Sequence, residues 1–327
     1  MVTEAAPHDR GAVSAVLGRS RSRVALCAWA AVMAAALVGC TAGRMHSSSP
    51  PASEVAAVRA MTFNIRLATD ADGDNAWRHR KELVAALIQY EAPDVLGLQE
   101  VLLEQRDDLV LALPDYAILG VARDDGKQKG EFSPLVYRKN RFELVQSGTF
   151  WLSLTPDEPS KDWDAALPRI ATWAILHDGH SGQDIRALNT HFDHVGREAR
   201  ERSAALIAEW VATGPGAKLP TIVMGDFNSD PESEPYRRLV TDTAAGMVDT
   251  RRTSRSAPYG PSGTFTGFDI MRNEPAPIDH IFVTDDWVVE SHAVVTQHWG
   301  GQLPSDHYPV LASLRLTGRS ALPASPR

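Results

Sequence analysis

The sequence predicts an α/β domain in which β-sheets pack on one another and helices cover them from outside. Three observations predict it. Strand-like runs recur along nearly the whole chain, helical stripes interrupt them at three places, and Pro or Gly marks many of the joints. The chain has 327 residues, 43% of them hydrophobic, which suffices for one large domain or two of ordinary size. No repeat of fixed period stands out.

Residues 58–67 read as a strand. Residues 79–90 carry Leu83, Leu87 and Tyr90 at i, i+4 and i+7, a helical stripe that Pro93 breaks. Residues 94–98 return as a strand, and 104–113 form a second helix stopped by Pro114. Strands are expected at 116–120, 133–137, 142–150, 171–177 and 184–189. The strongest helix is 197–213, with Ala199, Ser203, Leu206 and Trp210 along one face and Gly214-Pro215-Gly216 at its end. Strands recur at 221–224, 278–283, 288–295 and 310–316.

Five segments rich in Asp, Asn, Glu and His sit at the ends of apolar runs. They are Met61-Thr62-Phe63-Asn64, Leu98-Gln99-Glu100-Val101, Asn189-Thr190-His191-Phe192-Asp193-His194, Met224-Gly225-Asp226-Phe227-Asn228 and Ser305-Asp306-His307-Tyr308. Hard carboxylate and amide oxygens suit Mg²⁺ or Mn²⁺ rather than zinc. Histidines beside them can neutralise or protonate a charged oxygen. The set points to a metal-dependent hydrolase of a phosphate ester. A net charge of −8 argues against a protein made for tight, unspecific binding to polynucleotides.

The amino terminus reads as an export signal. Arg10, Arg19, Arg21 and Arg23 precede an apolar run from 24 to 38, too short to span a bilayer comfortably. The run ends in Leu37-Val38-Gly39-Cys40, which resembles the lipobox of bacterial lipoproteins. That resemblance implies lipid on Cys40 and a protein tethered to the cell envelope, on the outer face of the cytoplasmic membrane or the cell surface. The chain then divides into a signal peptide at 1–39, a small and polar disordered tether at 40–57, a catalytic domain at 58–317 and a flexible tail at 318–327. Cys27 and Cys40 are the two cysteines, so the mature domain has neither a disulfide nor a thiol nucleophile.

The ordered motif set resembles the endonuclease/exonuclease/phosphatase superfamily, from about Val58 to Leu316. Gly148-Thr149-Phe150-Trp151-Leu152-Ser153 and Pro168-Arg169, with the 189–194 segment, are most similar to its bacterial metal-dependent hydrolases. The resemblance implies a four-layer α/β/β/α sandwich, with two mostly antiparallel sheets packed face to face and the active site at one end. It implies Glu100 as the direct ligand of Mg²⁺ (Mn²⁺ as the alternative), with Asp306 in the metal shell. Asn64 would orient the metal or its water through the amide oxygen. Asp226 would align and deprotonate the attacking water, while His191, His307 and Asn228 donate to phosphoryl oxygens. Asp279 would hold His307 in its tautomer, Glu131 would orient His191, and the Arg169 fork would bind phosphate. His280 reads as a structural strand histidine, and Asp193 and His194 as supports of the same loop.

The favoured reading is an exported, monomeric phosphoesterase for small, sugar- or lipid-linked phosphate esters. An extracellular DNA or RNA nuclease is the alternative, and a non-catalytic binding protein on the same fold is the third reading.

Overall fold

The structure, a computed structural model, describes residues 57–242, 244–272 and 274–317. The signal peptide, Cys40, the tether up to residue 56 and the tail lie outside the described residues. Among the described residues no helix is long and apolar enough to cross a membrane.

The strands are β1 (Val58–Asn64), β2 (Val95–Gln99), β3 (Tyr116–Leu119), β4 (Leu135–Arg138), β5 (Phe142–Trp151), β6 (Ile170–Asp178), β7 (Gln183–His191), β8 (Thr221–Asp226), β9 (Met247–Asp249), β10 (Asp279–Thr284), β11 (Trp287–Val294) and β12 (Val310–Leu316). The helices are α1 (Trp77–Glu91), α2 (Leu103–Ala112), α3 (Arg197–Thr213), α4 (Glu234–Thr241) and the short α5 (Thr250–Thr253). Two six-stranded sheets form, in the orders β11-β12-β1-β2-β4-β3 and β5-β6-β7-β8-β10-β9. Each is antiparallel apart from one inner parallel pair, β1 with β2 and β7 with β8. A parallel pair needs a crossover. The chain supplies it twice, as α1 and as α3, so the helical stripes of the sequence have a topological use.

Apolar side chains fill three layers. Ala60, Val95 and Leu135 meet Leu176, Ile185 and Met224 between the sheets. Phe63, Leu96 and Val136 lie under Val84, Leu87 and Leu109 of α1 and α2. Leu188, Val223 and Phe282 lie under Ala204, Ile207 and Leu239 of α3 and α4. This is the expected four-layer sandwich.

One polar group bolts the two sheets together. Asn189 of β7 is fully buried, and its Nδ2 donates to Leu98 O at 2.7 Å and Pro134 O at 2.9 Å in the other sheet. Its Oδ1 accepts from Gln99 Nε2 at 2.6 Å. Gly97 makes room: a Cβ there would lie 2.4 Å from Asn189 Oδ1.

The sequence reading passed over α4, β9, α5 and a 3₁₀ turn at Asp70–Asn75. The turn buries no residue, α4 carries a Pro in its first turn, and β9 has three residues. Only α4 is long enough to show a period, with Tyr236 and Leu239 buried at i and i+3.

Asn189→Ala should cost about 2 kcal/mol, because Leu98 O loses its donor and a buried group left unpaired costs about 1–3 kcal/mol, while Pro134 O keeps Leu98 N. Urea unfolding measures this; a loss below about 1 kcal/mol would mean that water replaces the bolt.

Candidate active site

Strand register sets the centre of the site. Asp226 ends β8, and its register partners are His191 on β7 and Asp279 on β10. Paired residues project to the same side of a sheet, so three titratable groups stand in a row. Gly225 allows the close approach, since a Cβ there would lie 2.2 Å from Thr190 O. Asp226 Oδ2 lies 3.5 Å from His191 Nε2 and 3.9 Å from His307 Nε2.

The other sheet supplies the facing groups. Asn64 ends β1, and Glu100 follows β2 with φ +61°, an uncommon conformation for a residue with a Cβ. Asn64 Nδ2 donates to Glu100 Oε1 and to Asp226 Oδ2, both at 3.0 Å. Its Oδ1 accepts from Arg66 N at 3.0 Å. That bond fixes which end of the amide is oxygen, so Asn64 bridges two carboxylates as a donor. The expected amide-oxygen contact to a metal does not fit this orientation. Glu100 Oε2 accepts from Leu67 N at 3.1 Å.

The two histidines beside Asp226 differ in charge. His307 Nδ1 lies 2.9 Å from Asp279 Oδ2. Burial alone would lower the ring, but Asp279 with its hydrogen bond, then Asp226 and Asp306, outweigh it and hold His307 up to about 10. His191 lacks a carboxylate at that distance, Asp226 Oδ2 being 3.5 Å from its Nε2. Burial first, then Arg169 and Arg123, push it well below the usual histidine range, so it is neutral. Burial and the adjacent Asp279 push Asp226 up to about 7, against the pull of His307.

Two further expectations change in detail. Glu131 Oε2 is 4.0 Å from His191 Nδ1, beyond hydrogen-bond reach, and accepts from Arg123 Nη1 at 2.7 Å instead. Its carboxyl is raised by burial, with Arg123 opposing. Asn228 Nδ2 lies 3.1 Å from His191 Nε2 and donates to Phe192 O at 3.0 Å. Its donors are thereby committed to orienting His191 and the loop rather than to a phosphate oxygen. Arg169 is buried; Nε donates to Asp193 Oδ2 at 3.3 Å and Nη2 to His194 Nδ1 at 2.9 Å. Asp193 and His194 are therefore the seat of Arg169. His280 donates from Nε2 to Ser229 O at 2.9 Å and packs among Phe227, Tyr236 and Phe282, a structural place.

These groups line one cavity of about 480 Å³, with Glu100, Asp306, Asp226, His307, His191, Glu131, Arg169 and Asn228 in its wall. Leu67, Leu167, Phe265 and Ile278 supply apolar surface. Arg66 also lines it and was not singled out in the sequence; Asp72 grips its Nε and Nη2 at 3.0 and 3.1 Å. The free side of that guanidinium lies 3.8 Å from Glu100 and its Nε 3.9 Å from Asp306. Both carboxylates thus face the Arg66 guanidinium, and their hard oxygens suit a divalent ion by donor chemistry. Asp226, Asp279 and His307 also present ligand atoms within 4.8 Å of one another. The His307 ring is held as a cation by Asp279, so an ion there would have to displace the ring proton at Nε2.

Residues 61–307 match the family described as the Endonuclease/Exonuclease/phosphatase family. An endonuclease/exonuclease/phosphatase from Bacteroides vulgatus is 41% identical, with a TM-score of 0.75 over 80% of this chain and 99% of that one. The mannosyl-6-phosphatase of Bacteroides thetaiotaomicron is 38% identical, with a TM-score of 0.74 over 79% of this chain and 100% of that one. The exoribonuclease subunit Ccr4 of the CCR4-Not complex of Mycosarcoma maydis is 27% identical over 215 residues. That match covers 52% of this chain, which spans 32% of the length of Ccr4.

A carboxyl raised to about 7 binds its proton more tightly folded than unfolded, so it lowers stability as pH rises from about 4 to about 7. Urea unfolding of metal-free protein should show that slope in the parent and a flatter one in Asp226→Asn. Equal slopes in the two proteins would mean that Asp226 is not raised.

Proposed function

The chain belongs to the endonuclease/exonuclease/phosphatase family, whose members hydrolyse phosphoester bonds, and on that premise we propose that it is an exported, Mg²⁺-dependent phosphoesterase of small phosphate esters. The observation that carries this reading is Asp226, a carboxyl pushed up to about 7 and set between a neutral and a cationic histidine at the wall of a cavity. Such a group exchanges a proton near neutrality, as a base for an attacking water must.

Asp226 aligns a water opposite the leaving oxygen and takes its proton. His307 donates from Nε2 to a phosphoryl oxygen, while Asp279 keeps the proton on Nδ1. Arg169, seated on Asp193 and His194, draws a further oxygen to the other wall. His191, held by Asn228, stays neutral beside Asp226, and the ester oxygen that leaves takes its proton from solvent, to which Asp226 returns the one it took. Glu100 and Asp306 would hold the Mg²⁺, or Mn²⁺ in its place. When bound, that ion supplies positive charge to the phosphoryl oxygens.

The likeness to a mannosyl-6-phosphatase over four fifths of the chain supports a sugar phosphate monoester as substrate. The amino-terminal signal and Cys40 support export and a lipid anchor. The likeness to Ccr4 favours a nuclease as the second reading, against which the net charge of −8 weighs.

The test is turnover of mannose 6-phosphate, para-nitrophenyl phosphate, its bis-ester, plasmid DNA and RNA with Mg²⁺, Mn²⁺ or EDTA. The sugar phosphate should be cleaved fastest, and EDTA should abolish the reaction. Plasmid or RNA cleavage that outruns every small ester would favour the nuclease instead. Asp226→Asn should lower kcat by about 10² or more with cation binding largely kept, whereas Glu100→Gln should weaken the dependence on metal. Full activity in either variant would remove the role given to that residue.

A further inference from the structure

Arg80 has no place in the chemistry above, yet it is fully buried one turn into α1. Each of its five N–H groups has a backbone carbonyl. Nε donates to Asn75 O at 2.8 Å, Nη1 to Ile65 O and to Pro304 O at 3.1 Å, and Nη2 to Arg66 O at 2.7 Å and Leu67 O at 3.4 Å. The carbonyls come from three segments: the loop after β1, the turn before α1, and the loop before β12. Trp77 and Phe268 lie 5.3 and 5.5 Å from the guanidinium carbon.

The contacts fall at telling places. Arg66 O and Leu67 N belong to one peptide unit, and that N–H donates to Glu100 Oε2. Arg66 itself has φ +57°, a strained backbone for a residue with a Cβ. Pro304 immediately precedes Ser305, Asp306 and His307. One rigid fork therefore grips the peptide that orients Glu100 and the segment that presents Asp306.

We propose that Arg80 is a positioning residue that fixes the separation of Glu100 and Asp306, and so preorganises the site for its divalent cation. This rests on the cation site proposed above. A lysine cannot replace it, because three donors on a flexible stem do not match five carbonyls set around a planar fork. Burial lowers the Arg80 guanidinium to about 10, which leaves it charged at neutral pH.

Arg186 provides the control. It is also fully buried, and it binds Thr221 Oγ1 and the carbonyls of Trp210, Val211 and Pro215 at the start of β8, the end of the sandwich away from Asp226. The experiment measures Mn²⁺ binding by calorimetry, melting temperature and kcat in the parent, Arg80→Lys and Arg186→Lys. Both variants should melt lower. Arg80→Lys should also bind Mn²⁺ about tenfold more weakly or worse, as for other residues that orient ligands, and excess Mn²⁺ should restore most of its kcat. Arg186→Lys should bind Mn²⁺ like the parent.

Mn²⁺ binding by Arg80→Lys within twofold of the parent would overturn the proposal, as would an equal loss in Arg186→Lys. A parent that binds no Mn²⁺ would instead overturn the cation site, and this proposal with it. If Arg80→Lys does not fold, Ser305→Ala tests the same junction, since Ser305 Oγ donates to Asn64 O at 2.7 Å. Its Mn²⁺ affinity should fall, and an unchanged affinity would count against the junction.

Discussion

Everything in the cleft depends on where Asp226 ends its strand. The parallel pairing of β7 with β8 and the antiparallel pairing of β8 with β10 leave it no choice of neighbours: His191 stands on one side and Asp279 on the other. A shift of one residue in either ladder would turn a partner to the opposite face of the sheet. Asp279 then captures His307, which arrives from the loop before β12. The charge states of the two histidines follow from their neighbours: the ring hydrogen-bonded to Asp279 is a cation, and the ring buried beside Arg169 and Arg123 is neutral.

The second constraint is that the two sheets meet through amides at this end. Asn189 holds them in the interior and Asn64 at the rim, where it links Glu100 of one sheet to Asp226 of the other. Carboxylates gathered this way repel one another and resist burial. The fold answers with cations in fixed seats: Arg66 on Asp72, Arg169 on Asp193, Arg80 on five carbonyls and the His307 ring on Asp279. A divalent ion between Glu100 and Asp306 would add to that compensation.

The sequence made much of this legible, for physical reasons. Long elements with a clear period were read closely, and α3 has the bounds that its apolar face and the Gly-Pro-Gly stop imply. The segments ending in Asn64, Glu100, His191, Asp226 and His307 were recognisable because polar groups rarely follow apolar strands together, and all of them reach one cavity or its edge. Contacts were less legible than places. Which end of Asn64 faces the acids, or that Glu131 prefers Arg123, is decided by neighbours distant in sequence. Arg66 and Arg80 carry no signal in the sequence, since their partners are backbone atoms or an acid in a turn without periodicity.

The most direct test is an anomalous difference map of crystals soaked in Mn²⁺. The account predicts one peak between Glu100 and Asp306, with the Asp279–His307 hydrogen bond intact. A peak held by Asp226, Asp279 and His307, or none at either place, would contradict it.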